Sequence, residues 1–225
     1  MRVFYSIWLI SKRDLIIELR TKEIVLPVAL FCIVLLILFI FTISPSSLEA
    51  VNLFPSLYFT TILLGGILAL QKSIERERQD ESLYGLIMAP CDLYVIYLGK
   101  ALSSFLFVSL IGLVALPIFI GFLGLSLTIV QFLQIVFTDI LFLLGFSFLG
   151  TLFTFLSWDI KAQQVMLPVL MYPLLIPSLL SASYLVRQAL NGQYNLASGW
   201  ANLLIGFDLL FVAISILTFD FIIEE

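Results

Sequence analysis

Residues 71–100 read QKSIERERQDESLYGLIMAPCDLYVIYLGK, the one long polar interruption in a chain that is otherwise close to continuous hydrocarbon. Four of the eleven basic residues stand here (Lys72, Arg76, Arg78, Lys100), with five of the fifteen acidic ones (Glu75, Glu77, Asp80, Glu81, Asp92). On either side the composition is extreme. The chain is 62% hydrophobic and 12% charged, where soluble domains run to roughly half apolar and about a quarter charged. A soluble core has no place for so much apolar surface; a bilayer does. The polar island therefore reads as a segment held at one face of a membrane.

Working outward, six apolar spans emerge: 24–44, 54–70, 101–123, 132–156, 165–183 and 201–223. Each is near the ~20 residues that cross a hydrocarbon core as a helix. Lipid offers a backbone no other hydrogen-bond partner, and nothing in the pattern alternates as a barrel strand would. The fold class is thus all-α integral membrane, with 1–225 as a single membrane domain. The fifth span carries Pro168, Pro173 and Pro177, each lacking an amide donor, so that helix is expected to bend or break.

Residues 1–23 differ again. At about 100° per residue, Arg2, Ser6, Arg13 and Arg20 share one sector, with Phe4, Trp8, Leu15 and Leu19 on the far side. Leu9 and Ile16 edge towards the basic stripe, and Glu18 and Lys22 flank the apolar one. Such a helix suits the membrane interface; a frayed cytoplasmic tail is the plainer alternative. The charge in this segment does not fit a signal peptide.

Lysine and arginine set the orientation. Residues 1–23 hold five, 71–100 hold four, and 157–164 hold Lys161, against Arg187 alone in the opposite loops. Ten against one is a strong positive-inside bias. Both termini and residues 71–100 are expected on the cytoplasmic side. Residues 184–200 have room for a small interfacial helix on the other.

Composition also narrows the chemistry. The net charge of −4 speaks against nucleic acid, whose binders carry basic patches. There is no histidine, which removes the usual general base, catalytic zinc ligand and haem ligand. Cys32 and Cys91 form no CxxC motif. Asp139 and Asp208 lie within spans, where a charge near mid-membrane costs about 2.5–3.5 kcal/mol and so faces protein or water. Structural or partner-facing roles, a functional cavity, or an aspartyl site remain open for them. Gly99-Lys100 has the ending of a P-loop, but Tyr94 stands where the first glycine belongs and Ala101 follows the lysine, so any ATP must be bound by another subunit.

Within the island, Pro90 follows a segment, 75–89, able to form a helix that is charged first and apolar later (Leu83, Leu86, Ile87, Met88). It fits a groove in a soluble partner. It equally fits a solvated loop held by weak i,i+4 pairs.

The arrangement resembles type-2 ABC exporter permeases: an interfacial N-terminal helix, two spans, a charged cytoplasmic helix ending in Pro, and four more spans. More closely it resembles the CcmB family, the haem exporter B proteins of cytochrome c maturation. The matching residues are Leu19-Arg20, Leu68-Ala69-Leu70, Gln79-Asp80, Ser82-Leu83, Leu86, Pro90, Lys100, Gly145, Gly150 and Pro173-Leu174-Leu175-Ile176-Pro177, spread in order over nearly the whole chain. Glu81 departs from the family, which commonly has Gly after the Asp of the central motif.

The resemblance implies a non-catalytic permease subunit in the bacterial inner membrane, rather than the mitochondrial one. It implies a CcmA-like ATP-binding subunit, a CcmC-like haem-handling subunit, a small CcmD-like subunit and the haem chaperone CcmE, with a second copy of this chain possible. ATP and haem would be held by those partners, with no cofactor bound directly here. ATP hydrolysis would then drive release of the haem-loaded chaperone. Glu77, Asp80, Ser82, Leu83, Leu86 and Pro90 would form the coupling helix between spans two and three, and Pro168, Pro173 and Pro177 a hinge. A general type-2 exporter of lipid, polysaccharide or drug would look alike in its spans and differ in its partners.

Overall fold

The computed structural model describes residues 2–42, 48–79, 88, 93–157 and 163–223, and within these all regular structure is helical. The helices are α1 Arg2–Thr21, α2 Val25–Thr42, α3 Leu48–Gln79, α4 Leu93–Leu123, α5 Ile129–Leu156, α6 Gln163–Leu190 and α7 Gly199–Ile223. Helices α3 to α7 are each long and apolar enough to cross a membrane. Helix α2 makes a sixth span only when taken with α1, from which it is bent by 73°. The expected six spans are therefore five or six.

Helix α3, at 32 residues, is about 48 Å long at 1.5 Å per residue, well beyond a ~30 Å hydrocarbon core. Residues 71–79 are not a separate cytoplasmic element: they prolong the second span, as 93–100 begin the third. Gln, Lys, Glu and Arg are good helix formers, and Lys72 pairs with Glu75 at 2.8 Å one turn on. Polarity marks where lipid ends, not where the helix does.

Two other expectations change. The prolines do not break the fifth span, since Pro168, Pro173 and Pro177 lie inside continuous α6. Nor do residues 184–200 form their own helix. Residues 184–190 finish α6, 191–198 are turns and irregular backbone, and α7 begins at Gly199. The start of α5 is fixed by a capping box in which Thr128 and Gln131 satisfy each other's backbone amides. The Gln131 amide also donates to the Leu190 carbonyl at 3.1 Å, tying the end of α6 to α5.

The bundle centres on α3, which packs against α2, α4 and α6, while α5 lies against α4, α6 and α7, and α1 against α4. Its core is aromatic. Tyr58 meets Phe54, Phe59 and Phe119 with ring centroids 5.2–6.0 Å apart, and Phe59 meets Phe142 edge-on at 5.0 Å. With no hydrophobic driving force between helices in lipid, close approach through small residues must hold them together. Gly65 and Gly66 supply it on α3: a Cβ would lie 2.7 Å from the Cys32 sulfur of α2 and 2.6 Å from the Phe146 ring of α5. Gly150 admits Leu70 in the same way.

Candidate functional site: a buried ion network where α1, α3 and α4 meet

Ser11, Asp14 and Glu18 recur at three- and four-residue spacing and so share one face of α1. That face is the one α1 buries: the three residues are at most 3% exposed. It lies between the basic and apolar stripes of the helical wheel, and the apolar stripe is left uncovered, with Phe4, Trp8 and Leu19 all more than half exposed.

Against this face stand the foot of α3 and the start of α4. Lys100 places its ammonium 2.9 Å from Asp14 Oδ2 and 2.7 Å from Glu77 Oε1. Arg76 reaches Glu18 Oε2 at 2.7 Å. Ser103 Oγ lies 3.1 Å from Asp14 Oδ2, and the Ser11 hydroxyl donates to the Gly99 carbonyl at 2.8 Å. Gly99 is needed for this approach, because a Cβ there would come within 2.9 Å of Ile10. The Gly-Lys pair that ends no P-loop instead closes a helix interface.

Glu18 has a second task. Its Oε1 accepts the amides of Ile24 and Val25 at 2.8 and 2.7 Å, satisfying orphan donors at the start of α2 and placing negative charge at its positive dipole end. The chain turns there through Lys22, whose φ of +56° is a left-handed conformation usually left to Gly or Asn. One carboxylate thus locks the corner between α1 and α2 and anchors it to α3.

The charges nearly balance. Asp14, Glu18 and Glu77 face Lys100 and Arg76, with Arg13 Nε 3.4 Å from Asp14. Removing one partner of a buried pair costs about 3–5 kcal/mol, because the other is left uncompensated. Two small cavities of about 20 Å³ flank Lys100 on its Asp14 and Glu77 sides, each with room for a single water.

Glu77 therefore belongs to the interior, buried and bonded to Lys100. Asp80, Ser82, Leu83, Leu86 and Pro90 lie outside the described residues. Met88, the one residue described between 80 and 92, is 85% exposed. The network sits where both helices leading to that segment end.

Asp139 and Asp208 are elsewhere. The Tyr58 hydroxyl donates to the Gly112 carbonyl at 3.2 Å, and Asp139 lies at the same glycine, its Oδ2 3.0 Å from where a Cβ would stand. Asp208 packs directly against Gly145, six residues further along α5 than Asp139, or roughly 9 Å of helical rise. The two carboxylates are not brought together as a pair. Among the described residues no three His, Cys, Asp or Glu side chains converge as metal ligands.

Helices long enough to cross a membrane, joined at one end by buried ion pairs, define a multi-spanning membrane protein. The family model "CcmB protein" matches residues 5–223, and the chain belongs to that family. Among curated proteins, it is 28% identical over 187 residues to heme exporter protein B of Pseudomonas aeruginosa strain PAO1, covering 82% of this chain and 81% of that one.

Proposed function

We propose that this chain is the membrane permease subunit of an ABC-type complex of cytochrome c biogenesis. In this reading, ATP hydrolysed by a separate CcmA-like subunit drives haem delivery through release of the haem-loaded chaperone. Family membership supports the permease role, and the Pseudomonas relative, a heme exporter protein B, supports haem as the cargo. The observation that carries the coupling is the ion network. A push on residues 80–92 reaches α3 at Glu77 and α4 at Lys100 together, and passes through Asp14 and Glu18 into α1 and α2.

The polar segment then faces the cytoplasm in the bacterial inner membrane, as do both termini by the ten-to-one bias in Lys and Arg. Helix α1 lies in the interface, with its exposed Phe4, Trp8 and Leu19 towards lipid. Glu77 acts as an internal strut, while Asp80, Ser82, Leu83, Leu86 and Pro90 make the contact with the ATPase.

The test is a pull-down in mild detergent. An ATP-binding subunit accompanied by CcmC- and CcmE-type proteins is expected. An ATP-binding subunit without those companions would replace this reading with that of a general exporter, and no ATP-binding subunit would end both.

Helix α6 is the pliable element. Three prolines remove three amide donors from one helix. Pro173→Ala with Pro177→Ala should stiffen α6, leave assembly intact and slow cytochrome c maturation. Maturation at the wild-type rate in a correctly assembled double variant would remove the hinge.

A further inference from the structure

At the end of the bundle remote from the ion network, a half-open cavity of about 210 Å³ lies where α3, α6 and α7 come together. Its lining includes Asn52 and Ser56 of α3, Ser183 and Arg187 of α6, and a rim formed by Tyr184 stacked on Trp200 with ring centroids 4.9 Å apart. We propose that this cavity holds the phosphate headgroup of an anionic lipid in the leaflet opposite the ion network.

Charge is the first argument. Arg187 is the one Lys or Arg between residues 162 and 225, and among the described residues no carboxylate pairs with it. A guanidinium is suited to phosphate, which it engages through two parallel hydrogen bonds. The second argument is independent of charge. Ser183 is 7% exposed, yet its hydroxyl has no hydrogen-bond partner. A buried donor left unsatisfied is destabilising, and a ligand oxygen in the cavity supplies the missing acceptor.

Size and setting choose the ligand. The cavity is below the ~300 Å³ at which drug-sized pockets begin, so it suits a headgroup and is too small for a porphyrin. Tyr and Trp concentrate at the headgroup level of membranes, where one end of each ring is wet and the other apolar. Leu180 continues the lining as an apolar wall, along which an acyl chain can leave. A free phosphate would use Arg187 and Ser183 but gain nothing from that wall.

The experiment is native mass spectrometry of the protein released from nanodiscs of equal phosphatidylglycerol and phosphatidylcholine. Wild type should retain one phosphatidylglycerol per chain in preference to phosphatidylcholine. Arg187→Gln should lower that retention about tenfold with an unchanged melting temperature, since Arg187 is exposed. Lys12→Gln, which removes an exposed cation of α1, should retain the lipid as wild type does. Equal retention by wild type and Arg187→Gln, or equal loss in both variants, would overturn the site. Displacement of the lipid by millimolar inorganic phosphate would overturn the lipid assignment.

Discussion

Lys100→Met is expected to lower the stability of the isolated subunit by about 3–5 kcal/mol, the cost of breaking a buried ion pair from one side. For a chain of this size, that is a fall on the order of 10 °C in melting temperature in detergent. The large effect has a specific origin: Lys100 serves Asp14 and Glu77 at once, at 2.9 and 2.7 Å. Without it two buried carboxylates are left without the ammonium they share. The triple variant Lys100→Met, Asp14→Asn, Glu77→Gln removes those charges as well and should regain most of the loss, because pairs replaced as a unit are often nearly neutral. A single variant that melts with wild type, or a triple variant no better than the single one, would show that the network carries no such energy.

The coupling role separates from the structural one in that triple variant. It should fold and still bind the ATP-binding subunit, but support cytochrome c maturation poorly, because its struts no longer carry charge between α3, α4 and α1. Full maturation would mean that movement travels by another route.

The second large effect concerns docking. Asp80→Lys combined with Leu86→Glu reverses one charge and puts another on the apolar half of the segment. Interface anchors are worth about 2 kcal/mol or more each, so the pair should weaken association with the ATP-binding subunit roughly a thousandfold. Copurification should then be lost while the subunit's own melting temperature stays put. Undiminished copurification would place the contact elsewhere. Glu77→Gln is the informative contrast: buried and bonded to Lys100, it should alter stability while leaving binding largely in place.

Much of the fold was legible from hydropathy, because a span announces itself by length and composition. The helix ends were not. Residues 71–79 are polar enough to resemble a loop, and Lys100 sets 93–100 apart from the apolar run that follows, yet each continues a span. Tertiary partners, not lipid, stabilise them: Arg76 and Lys100 are buried through ion pairs with α1, and Glu77 through its pair with Lys100.

The site was half visible. Glu77 and Lys100 both drew attention, one as a docking residue and one as a failed P-loop, and neither reading anticipates their bond to each other. Asp14 and Glu18 were missed because the helical wheel of α1 was divided into a basic and an apolar face. The buried face is the narrow acidic seam between them. The available signal was Ser11, Asp14 and Glu18 at helical spacing on one face of α1. Gly99 likewise makes sense only once Ile10 is known to lie against it.

The corner at Lys22 bears on how the protein is made. Glu18 meets Arg76 across 58 residues of chain, and Asp14 meets Lys100 across 86. A ribosome adding 5–20 residues per second needs roughly 4–17 s to deliver Lys100 after Asp14. Through that interval Asp14 lacks its ammonium, while Glu18 can already hold the corner through the amides of Ile24 and Val25. Helix α1 can therefore pair with α4 only after Lys100 has been delivered. A nascent chain stalled before residue 100 should expose α1 to protease, and one stalled well beyond it should protect it.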